Sequence, residues 1–468
     1  YEELSFHDKC NGRILMFEKN QWFFKINNEK LKTAWIEIGK NIKWFPARAQ
    51  KEYENWVRNI NQDWLISRQR KLGIPIPVVY CLNCGRPKII KNLKPFMPLC
   101  TVKIDDKCKC GCTEFQYETD VLDTWFISSL SPQINTKMMI NSDVKLPMDL
   151  RFCGKDIVTT WIFKSVVMTY YLSNESPWKE TMINGWVSLG DGTKINKQHA
   201  IEELELGRLI RLWGADGVRG WCANGKFGND MIYGESEFYK SSKTILKLVN
   251  LSSFLKPSLE EFNILFNEPI SDIDSYIIKK YNLTYNRIVE YFNRREISNA
   301  KKTLDDFLFY FCNKYLEIVK HRFTYTKNSL IKKSTIFTSH KIFIEMLKLY
   351  SIIIPFITDN IFIENYSSLL KINHIFQLKI NEISNSISDI DFNQMEKFFS
   401  IILQIKRFLA QTNSTVNCII LSMSKEDIKF FKHFELDIIG CLKIKSIIYQ
   451  VGDTEVFVEI DNVKVKII

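Results

Sequence analysis

Six of the twelve cysteines lie within 32 residues, a density that indicates a metal site. Cys81 and Cys84 are separated by two residues and followed by a glycine, a spacing that lets two thiolates bind one side of a tetrahedral ion. Cys108 and Cys110 form a second pair, contracted by one residue. The four predict a structural Zn²⁺ site, with Cys112 as an alternative ligand in the second pair. The competing interpretation is a hairpin of small buried residues that has lost its metal.

Two carboxylates and a tryptophan occur together in residues 120–126, which read Asp-Val-Leu-Asp-Thr-Trp-Phe. The segment places two carboxylates and a large aromatic residue on a strand and the turn that follows it. Taken alone, Asp123 is more simply interpreted as the N-cap of a helix.

A second combination spans residues 154–161, which read Gly-Lys-Asp-Ile-Val-Thr-Thr-Trp. Gly154 could let a ligand approach the backbone closely, Asp156 could accept hydrogen bonds from ribose hydroxyls, and Trp161 falls on a predicted helix. A single Gly-x-Asp occurs often by chance, so this segment alone does not specify a nucleotide site.

Two lysines three residues apart, Lys194 and Lys197, follow the glycine-containing turn at residues 191–193. Ammonium groups on flexible side chains suit the phosphates of a transferring triphosphate. A solvated loop is the commoner explanation for such a pair.

The elements that would position these residues follow from composition. The 468 residues are 46% hydrophobic and 25% charged, which is typical of folded globular proteins. Residues 55–239 alternate short apolar strands with helical patterns, as in α/β folds.

Residues 240–400 are rich in Ile, Leu, Phe, Asn and Lys, and the apolar spacing from Ile297 to Val319 predicts one face of a long helix. A second helical pattern runs from Ile342 to Tyr350 and is expected to stop at Pro355. Residues 401–468 predict a small α/β appendage.

The formal charge of +11 favours a polyanionic partner such as RNA, although a biased Ile, Asn and Lys composition would also produce it. No apolar stretch approaches the ~18 residues needed to span a bilayer, and no secretory signal is evident. Clustered cysteines in a long chain without such a signal favour a metal site over disulfides and a reducing compartment, and we expect a cytoplasmic protein.

Six segments, in order, resemble class I aminoacyl-tRNA synthetases of the valyl type: residues 63–77, 120–126, 154–161, 214–221, 247–250 and 355–358. The Ser-Arg-Gln of the first segment is shared with isoleucyl enzymes, whereas residues 120–126 look specifically valyl. The resemblance covers nearly the whole chain. It implies a Rossmann-type catalytic half with inserted zinc-ribbon-like knuckles at about residues 78–118, a helical anticodon-binding bundle at 240–400, and the α/β appendage.

The resemblance implies ATP-dependent activation of L-valine, assisted by Mg²⁺, and transfer to the 3′ end of valine tRNA. Trp125, Trp161 and Asp123 would form the amino-acid pocket. The adenosine ribose would lie at Gly154 and Asp156. Lys194 and Lys197 match the first and fourth positions of the family's Lys-Met-Ser-Lys-Ser loop and would be the catalytic, ATP-binding cations.

The chain departs from the family in two places. Its lysine loop reads Lys-Ile-Asn-Lys-Gln, and no pair of its six histidines forms the His-x-Gly-His signature. Residues 10–13 and 21–23 resemble the end of the family's editing insertion, so we expect residues 1–54 to be the end of that insertion and the return into the catalytic domain. The chain would be a fragment of a longer synthetase, or one subunit of a split synthetase whose separate N-terminal half supplies the rest. The alternatives are a catalytically inactive tRNA-binding remnant and an isoleucyl-type synthetase.

Overall fold

The structure, a computed structural model, divides into two compact units, Tyr1–Trp186 and Val187–Ile468, and each is described by itself. The described residues are 6, 11–14, 18–91, 104, 107–138, 144–193, 195, 205–266, 271–324, 329–383, 391–411, 416–451, 458–460 and 463–467.

The first unit alternates strands and helices. In chain order they are β1 (Phe23–Phe24), α1 (Glu29–Asn41), β2 (Lys43–Phe45), α2 (Arg48–Arg58), β3 (Trp64–Leu65), β4 (Ser67–Arg68), β5 (Val78–Cys81), β6 (Pro87–Ile89), β7 (Phe115–Tyr117), β8 (Val121–Leu122), α3 (Thr124–Ser128), α4 (Ser131–Met138), β9 (Met148–Gly154), α5 (Phe163–Ser173) and β10 (Trp178–Asn184). A 3₁₀ turn (Lys155–Ile157) and a π-helical turn (Val158–Ile162) join β9 to α5.

A parallel sheet in the order β2-β10-β9 forms the centre of this unit. Both crossovers contain helices, as parallel connections require. The helices bury large aromatic residues against the sheet, and the rings of Trp35 and Phe163 meet edge to face at 5.6 Å between centroids. Tyr53 is fully buried beside them and donates its hydroxyl hydrogen to the carbonyl of Trp35 at 3.0 Å. This packing joins α1, α2 and α5 in one hydrophobic cluster.

A smaller antiparallel sheet in the order β6-β5-β7 carries the cysteine segment. Its last strand leads within four residues into β8, which pairs with β4. Helix α3 begins directly after β8. The cysteine sheet and the segment containing Trp125 are thus joined by a short, mostly extended connection.

The second unit is mainly helical. Its elements are β11 (Val187–Ser188), α6 (Leu206–Cys222), β12 (Met231–Ile232), α7 (Glu235–Leu255), α8 (Asp272–Asn293), α9 (Ile297–Tyr310), α10 (Leu316–Val319), α11 (Leu330–Ser351), α12 (Pro355–Asn365), α13 (Ser367–Leu370), α14 (Phe392–Gln411), β13 (Cys418–Ser422), α15 (Lys425–His433), α16 (Glu435–Leu442), β14 (Ser446–Gln450), β15 (Val458–Ile460) and β16 (Val463–Ile467).

Two of the family-like segments meet inside this unit. Asp216 on α6 accepts hydrogen bonds from the backbone N–H groups of Phe356 and Ile357, at 3.4 and 2.6 Å, in the first turn of α12. Burial raises the pKa of Asp216, although these two donors oppose the shift. A carboxylate at a helix N-terminus satisfies N–H groups that have no partner within the helix. Asp216 therefore joins α6 to α12.

The predicted helices are present, with different ends. The face from Ile297 to Val319 is formed by α9, a π turn (Phe311–Tyr315) and α10 in succession. Pro355 does not simply end a helix: α11 stops at Ser351, and Pro355 begins α12. Proline suits that position because a first-turn N–H needs no partner within the helix.

The C-terminal α/β part shares its core with the bundle. Helix α14 continues to Gln411, and buried residues from Leu248 to Val465 form one hydrophobic cluster. Strand β16 lies inside the sheet order β14-β13-β16-β15. Its buried Val463 and Val465 alternate with lysines, so a short polar-looking segment forms an interior strand.

Among the helices that the structure describes, none combines the length and the apolar character needed to cross a membrane.

Candidate functional site

Gly154 and Asp156 lie at the carboxyl edge of the parallel sheet. Gly154 is the last residue of β9 and is level with Asn184, the last residue of β10. A Cβ at position 154 would lie only 2.7 Å from Oδ1 of Asp156, so the carboxylate folds back over a position without a side chain. Ligands of open α/β sheets bind at this edge, where loops leave the strands. The two residues are placed where a nucleotide could approach the backbone.

Trp161 lies in the π-helical turn that follows, and its ring is covered on one side by Arg151. The guanidinium carbon of Arg151, from β9, is 3.5 Å from the ring centroid. Trp161 is 8% exposed, and Trp178 packs beside it at 6.2 Å between centroids. Burial lowers the pKa of Arg151, which nevertheless stays charged at neutral pH. The stacking fixes the orientation of the indole.

A hydrogen bond joins Trp161 to the helix that carries Trp125. The indole Nε1 of Trp161 donates to the carbonyl of Ser128, the last residue of α3, at 3.2 Å. Trp125 is the second residue of α3 and is partly buried. The two predicted pocket tryptophans therefore lie on adjoining elements, although 35 residues separate them in the sequence.

Asp123 lies beneath Trp125 and is 3% exposed. Its Oδ1 accepts from the backbone N–H of Trp125 at 3.3 Å, which makes it the N-cap of α3. Its Oδ2 accepts from Trp64 Nε1 at 2.9 Å and forms ion pairs with Arg68 at 3.3 Å and Lys164 at 3.7 Å. Both oxygens of Asp123 therefore have partners, and one of them holds the backbone N–H of Trp125.

Lys164 completes this cluster from α5. Its ammonium lies 4.2 Å from the ring centroid of Trp64. Burial lowers the pKa of Lys164, and the charge of Asp123 opposes that shift. Lys164 and Arg151 were not among the site residues predicted from the sequence. The available signal was a charged residue inside an apolar element, which must find a partner when it is buried.

Lys194 and Lys197 lie outside the described residues. Their described neighbours form a tight turn in the second unit: the N–H of Thr193 donates to Oδ1 of Asp191 at 2.8 Å, and Gly192 adopts a φ of +85°. Glycine suits this left-handed backbone because it has no Cβ.

The four predicted metal ligands come together at one end of the cysteine sheet. The Sγ atoms of Cys81 and Cys110 are 3.5 Å apart, as are those of Cys84 and Cys108. The four sulfur atoms all lie within 4.8 Å of one another. Zinc–sulfur bonds of about 2.3 Å in a tetrahedron place sulfur atoms about 3.8 Å apart. This arrangement fits a four-thiolate zinc site.

The fifth candidate, Cys112, has a different environment. Its sulfur contacts the N–H of Glu114 at 3.4 Å and the carbonyl of Glu114 at 3.5 Å, and it is not part of the four-sulfur group. Within the group, the backbone N–H of Cys84 is the main cause that lowers the pKa of Cys81 to about 6. The backbone N–H of Cys112 is the main cause that lowers the pKa of Cys110. Backbone donors thus favour the thiolate form that metals bind.

Comparison with known families gives two matches. Residues 8–233 match the family described as tRNA synthetases class I (I, L, M and V). Residues 274–418 match the anticodon-binding domain of tRNA ligase.

Among curated relatives, the valine–tRNA ligase of Picrophilus torridus is 31% identical over 360 residues, which cover 76% of this chain and 46% of that protein. The valine–tRNA ligase of Ehrlichia ruminantium (strain Welgevonden) is 29% identical over 450 residues, covering 93% of this chain and 54% of that protein. The chain spans about half the length of the curated relatives it matches.

Solved structures share the fold. Mycobacterium tuberculosis methionyl-tRNA synthetase in complex with methionyl-adenylate aligns with a TM-score of 0.57 at 14% identity, covering 84% of this chain and 71% of that one. A ternary complex of Agrobacterium radiobacter LeuRS with tRNA and LeuAMS aligns with a TM-score of 0.52 at 16% identity, covering 84% and 52%.

Proposed function

Since this chain belongs to the class I tRNA synthetases of the group described as I, L, M and V, we propose that it carries the valine-binding and tRNA-binding parts of a valine–tRNA ligase. The observation that carries this proposal is the hydrogen bond from Trp161 to the carbonyl of Ser128. It ties Trp161 to the helix of Trp125, next to the carboxyl edge of the sheet where Gly154 lies.

In the proposed pocket, Trp125 and Trp161 are two apolar walls. Asp123 holds α3 through the N–H of Trp125, and Arg151 holds the indole of Trp161. Rigid aromatic walls exclude side chains larger than valine by shape. They discriminate weakly against threonine, about 100-fold, a magnitude known for valyl enzymes.

For the activation step, we propose that Gly154 and Asp156 receive the adenosine ribose. The valine carboxylate attacks the α-phosphorus of ATP, the bond to the bridging oxygen breaks, and pyrophosphate leaves. Negative charge accumulates on phosphate oxygens, where the ammonium groups of Lys194 and Lys197 would stabilise it. Mg²⁺, when bound with the triphosphate, would supply further positive charge.

A structural Zn²⁺ held by Cys81, Cys84, Cys108 and Cys110 is part of the proposal. The sulfur spacing within 4.8 Å supports it. The site would be closed, since four thiolates complete a tetrahedron, and its role would be to fix the small sheet β6-β5-β7. No catalytic step involves it.

The match of residues 274–418 supports tRNA as the partner of the helical bundle. The chain spans about half the length of the curated relatives it matches. We propose that the first half of the Rossmann sheet, on the same or another polypeptide, completes the catalytic domain.

Valine-dependent exchange of pyrophosphate into ATP tests the activation step. The full chain is assayed alone and after mixing with a segment from a valyl-type relative that contains the His-x-Gly-His signature. Valine, isoleucine and threonine are compared at equal concentrations. The proposal expects exchange in at least one arm, with valine the best substrate by kcat/KM.

Two results would replace this proposal with another. A higher kcat/KM for isoleucine would identify an isoleucyl-type enzyme. Binding of valine tRNA without exchange in either arm would leave a tRNA-binding protein with no catalytic role.

A further inference from the structure

A groove of about 990 Å³ opens beside the four-cysteine cluster, and basic side chains dominate its lining. The residues that line it are Arg86, Pro87, Lys88, Lys107, Cys108, Lys109 and Phe115. Four of these seven carry a positive charge. No carboxylate contributes to the lining among the described residues.

The pleat of the small sheet explains why the first two cations face the groove. Lys88 is opposite Val79, and Phe115 is opposite Cys81, so these residues share one face of the sheet. Arg86 precedes Lys88 by two residues and continues the same alternation. The ammonium of Lys88 lies 5.6 Å from the ring centroid of Phe115. The cations are therefore displayed on the face that carries Cys81.

Lys107 and Lys109 reach the groove from the other cysteine pair, on either side of Cys108. Both are exposed, and neither forms an ion pair with any residue that the structure describes. In sequence, residues 81–117 contain seven Lys and Arg against three Asp and Glu. This short segment therefore supplies a surplus of four positive charges, out of +11 for the whole chain.

A single small molecule fits this groove poorly, because ligand pockets of that size are mostly apolar and enclosing. Several exposed cations around an open groove instead match the spacing of a phosphate backbone, whose binding releases counterions. One competing role exists. Four thiolates around Zn²⁺ carry a net charge of −2, and nearby lysines could serve only to offset it.

The position of the groove indicates which part of an RNA would bind there. Only nine residues lie between Phe115 and Trp125, so the groove lies within roughly 35 Å of the proposed valine pocket even for a fully extended connection. The RNA that must reach that pocket is the 3′ end that accepts valine. We propose that Arg86, Lys88, Lys107 and Lys109 bind the phosphate backbone of the acceptor arm of tRNA. This inference depends on the proposed function and adds a specific contact surface to it.

The test measures RNA binding by fluorescence anisotropy with the full chain. One probe is a hairpin containing only the acceptor stem and 3′ single strand of valine tRNA, and the other is the whole tRNA. The groove variant combines Arg86→Gln, Lys88→Gln, Lys107→Gln and Lys109→Gln. A matched control removes the same charge elsewhere in the first unit, with Lys25→Gln, Lys30→Gln, Lys40→Gln and Lys51→Gln, all at exposed positions.

The groove variant should raise the Kd for the hairpin about 10- to 100-fold, and should reduce the slope of log K against log salt by about 2 to 4. The control should change Kd less than about 3-fold. Zinc content is measured for both. Should the fourfold variant lose zinc, the test is carried by whichever pair keeps its zinc, Arg86→Gln with Lys88→Gln or Lys107→Gln with Lys109→Gln, with about half the change in slope.

Equal hairpin affinity in the groove variant and the control would overturn the proposal. So would no hairpin binding by the unaltered chain. In either case, continued binding of whole tRNA and valine-dependent exchange would leave the proposed function intact. A loss of hairpin affinity seen only in variants that have lost zinc would assign the cations to the metal alone and would also overturn it.

Discussion

The indole Nε1 of Trp64 donates a 2.9 Å hydrogen bond to Oδ2 of Asp123, across 59 residues of sequence. The same carboxylate caps α3 through the N–H of Trp125. The residue predicted to line the amino-acid pocket thus also ties two segments together. This contact makes the geometry of the candidate site depend on a buried charge.

Replacing Asp123 with Asn should lower the free energy of unfolding of the first unit by about 2 to 4 kcal/mol, because Arg68 and Lys164 would lose their counter-charge in a buried setting. Urea unfolding followed by tryptophan fluorescence measures this, since nine of the eleven tryptophans lie in the first unit. Asp149→Asn is the matched control. Its side chain is 89% exposed in its pair with Lys179, so a change within about 0.5 kcal/mol is expected. Equal effects of the two variants would contradict the anchoring role.

Trp125→Ala should mainly affect KM for valine, whereas Trp161→Ala should mainly affect stability. Trp125 is only partly buried, so its loss should raise KM for valine about 10- to 100-fold with a small change in stability. Trp161 is 8% exposed and stacked by Arg151, so its loss should cost about 3 to 5 kcal/mol of stability. Trp178→Ala, at 2% exposure, is the control for loss of a buried indole without a direct pocket role. An unchanged KM for valine in Trp125→Ala would remove that residue from the pocket.

Metal analysis should find about one equivalent of Zn²⁺ per chain, and Cys84→Ser should abolish it because a tetrahedral site needs all four thiolates. Cys112→Ser should retain the metal, since the sulfur of Cys112 contacts Glu114 and lies outside the four-sulfur group. Both positions are replaced by the same side chain, which controls for the substitution itself. Loss of zinc in Cys112→Ser with retention in Cys84→Ser would reverse the assignment.

His340 should make the second unit sensitive to acid. It is fully buried between Ser258 and Tyr366, and burial lowers its pKa from 6.5 to about 3. Between those values the unfolded chain binds a proton that the folded chain does not. Stability is therefore present above about pH 6.5 and is lost as pH falls towards 3, by about 1.4 kcal/mol per pH unit from this group.

The check is the pH dependence of urea unfolding, followed by the helical circular dichroism signal. His340→Gln should show a shallower loss of stability than the unaltered chain between pH 6 and 4, whatever its stability at neutral pH. His374→Gln is the control, because the side chain of His374 is 57% exposed. Parallel curves for His340→Gln and the unaltered chain would show that His340 is not held neutral.

Local pattern was sufficient for a large part of this architecture. The apolar spacing from Ile297 to Val319 predicted a continuous helical face because side chains three and four apart lie on one side of a helix. The two cysteine pairs predicted a metal site because their short spacing alone brings the thiolates of each pair close together. The ordered segments at residues 63–77, 120–126 and 154–161 carried the family resemblance. Each of these signals lies within a short stretch of the sequence.

Tertiary structure decided the questions whose answer lies far away in sequence. Cys110 and not Cys112 joins the sulfur group because the turn around Gly111 directs the two side chains into different surroundings. Asp123 is an anchor because Trp64 and Lys164 converge on it from other elements, and β16 is an interior strand because β13 and β15 flank it. Spacing along the chain reports which face of an element is apolar. It does not report which partner that face meets, because that depends on the packing of all the elements at once.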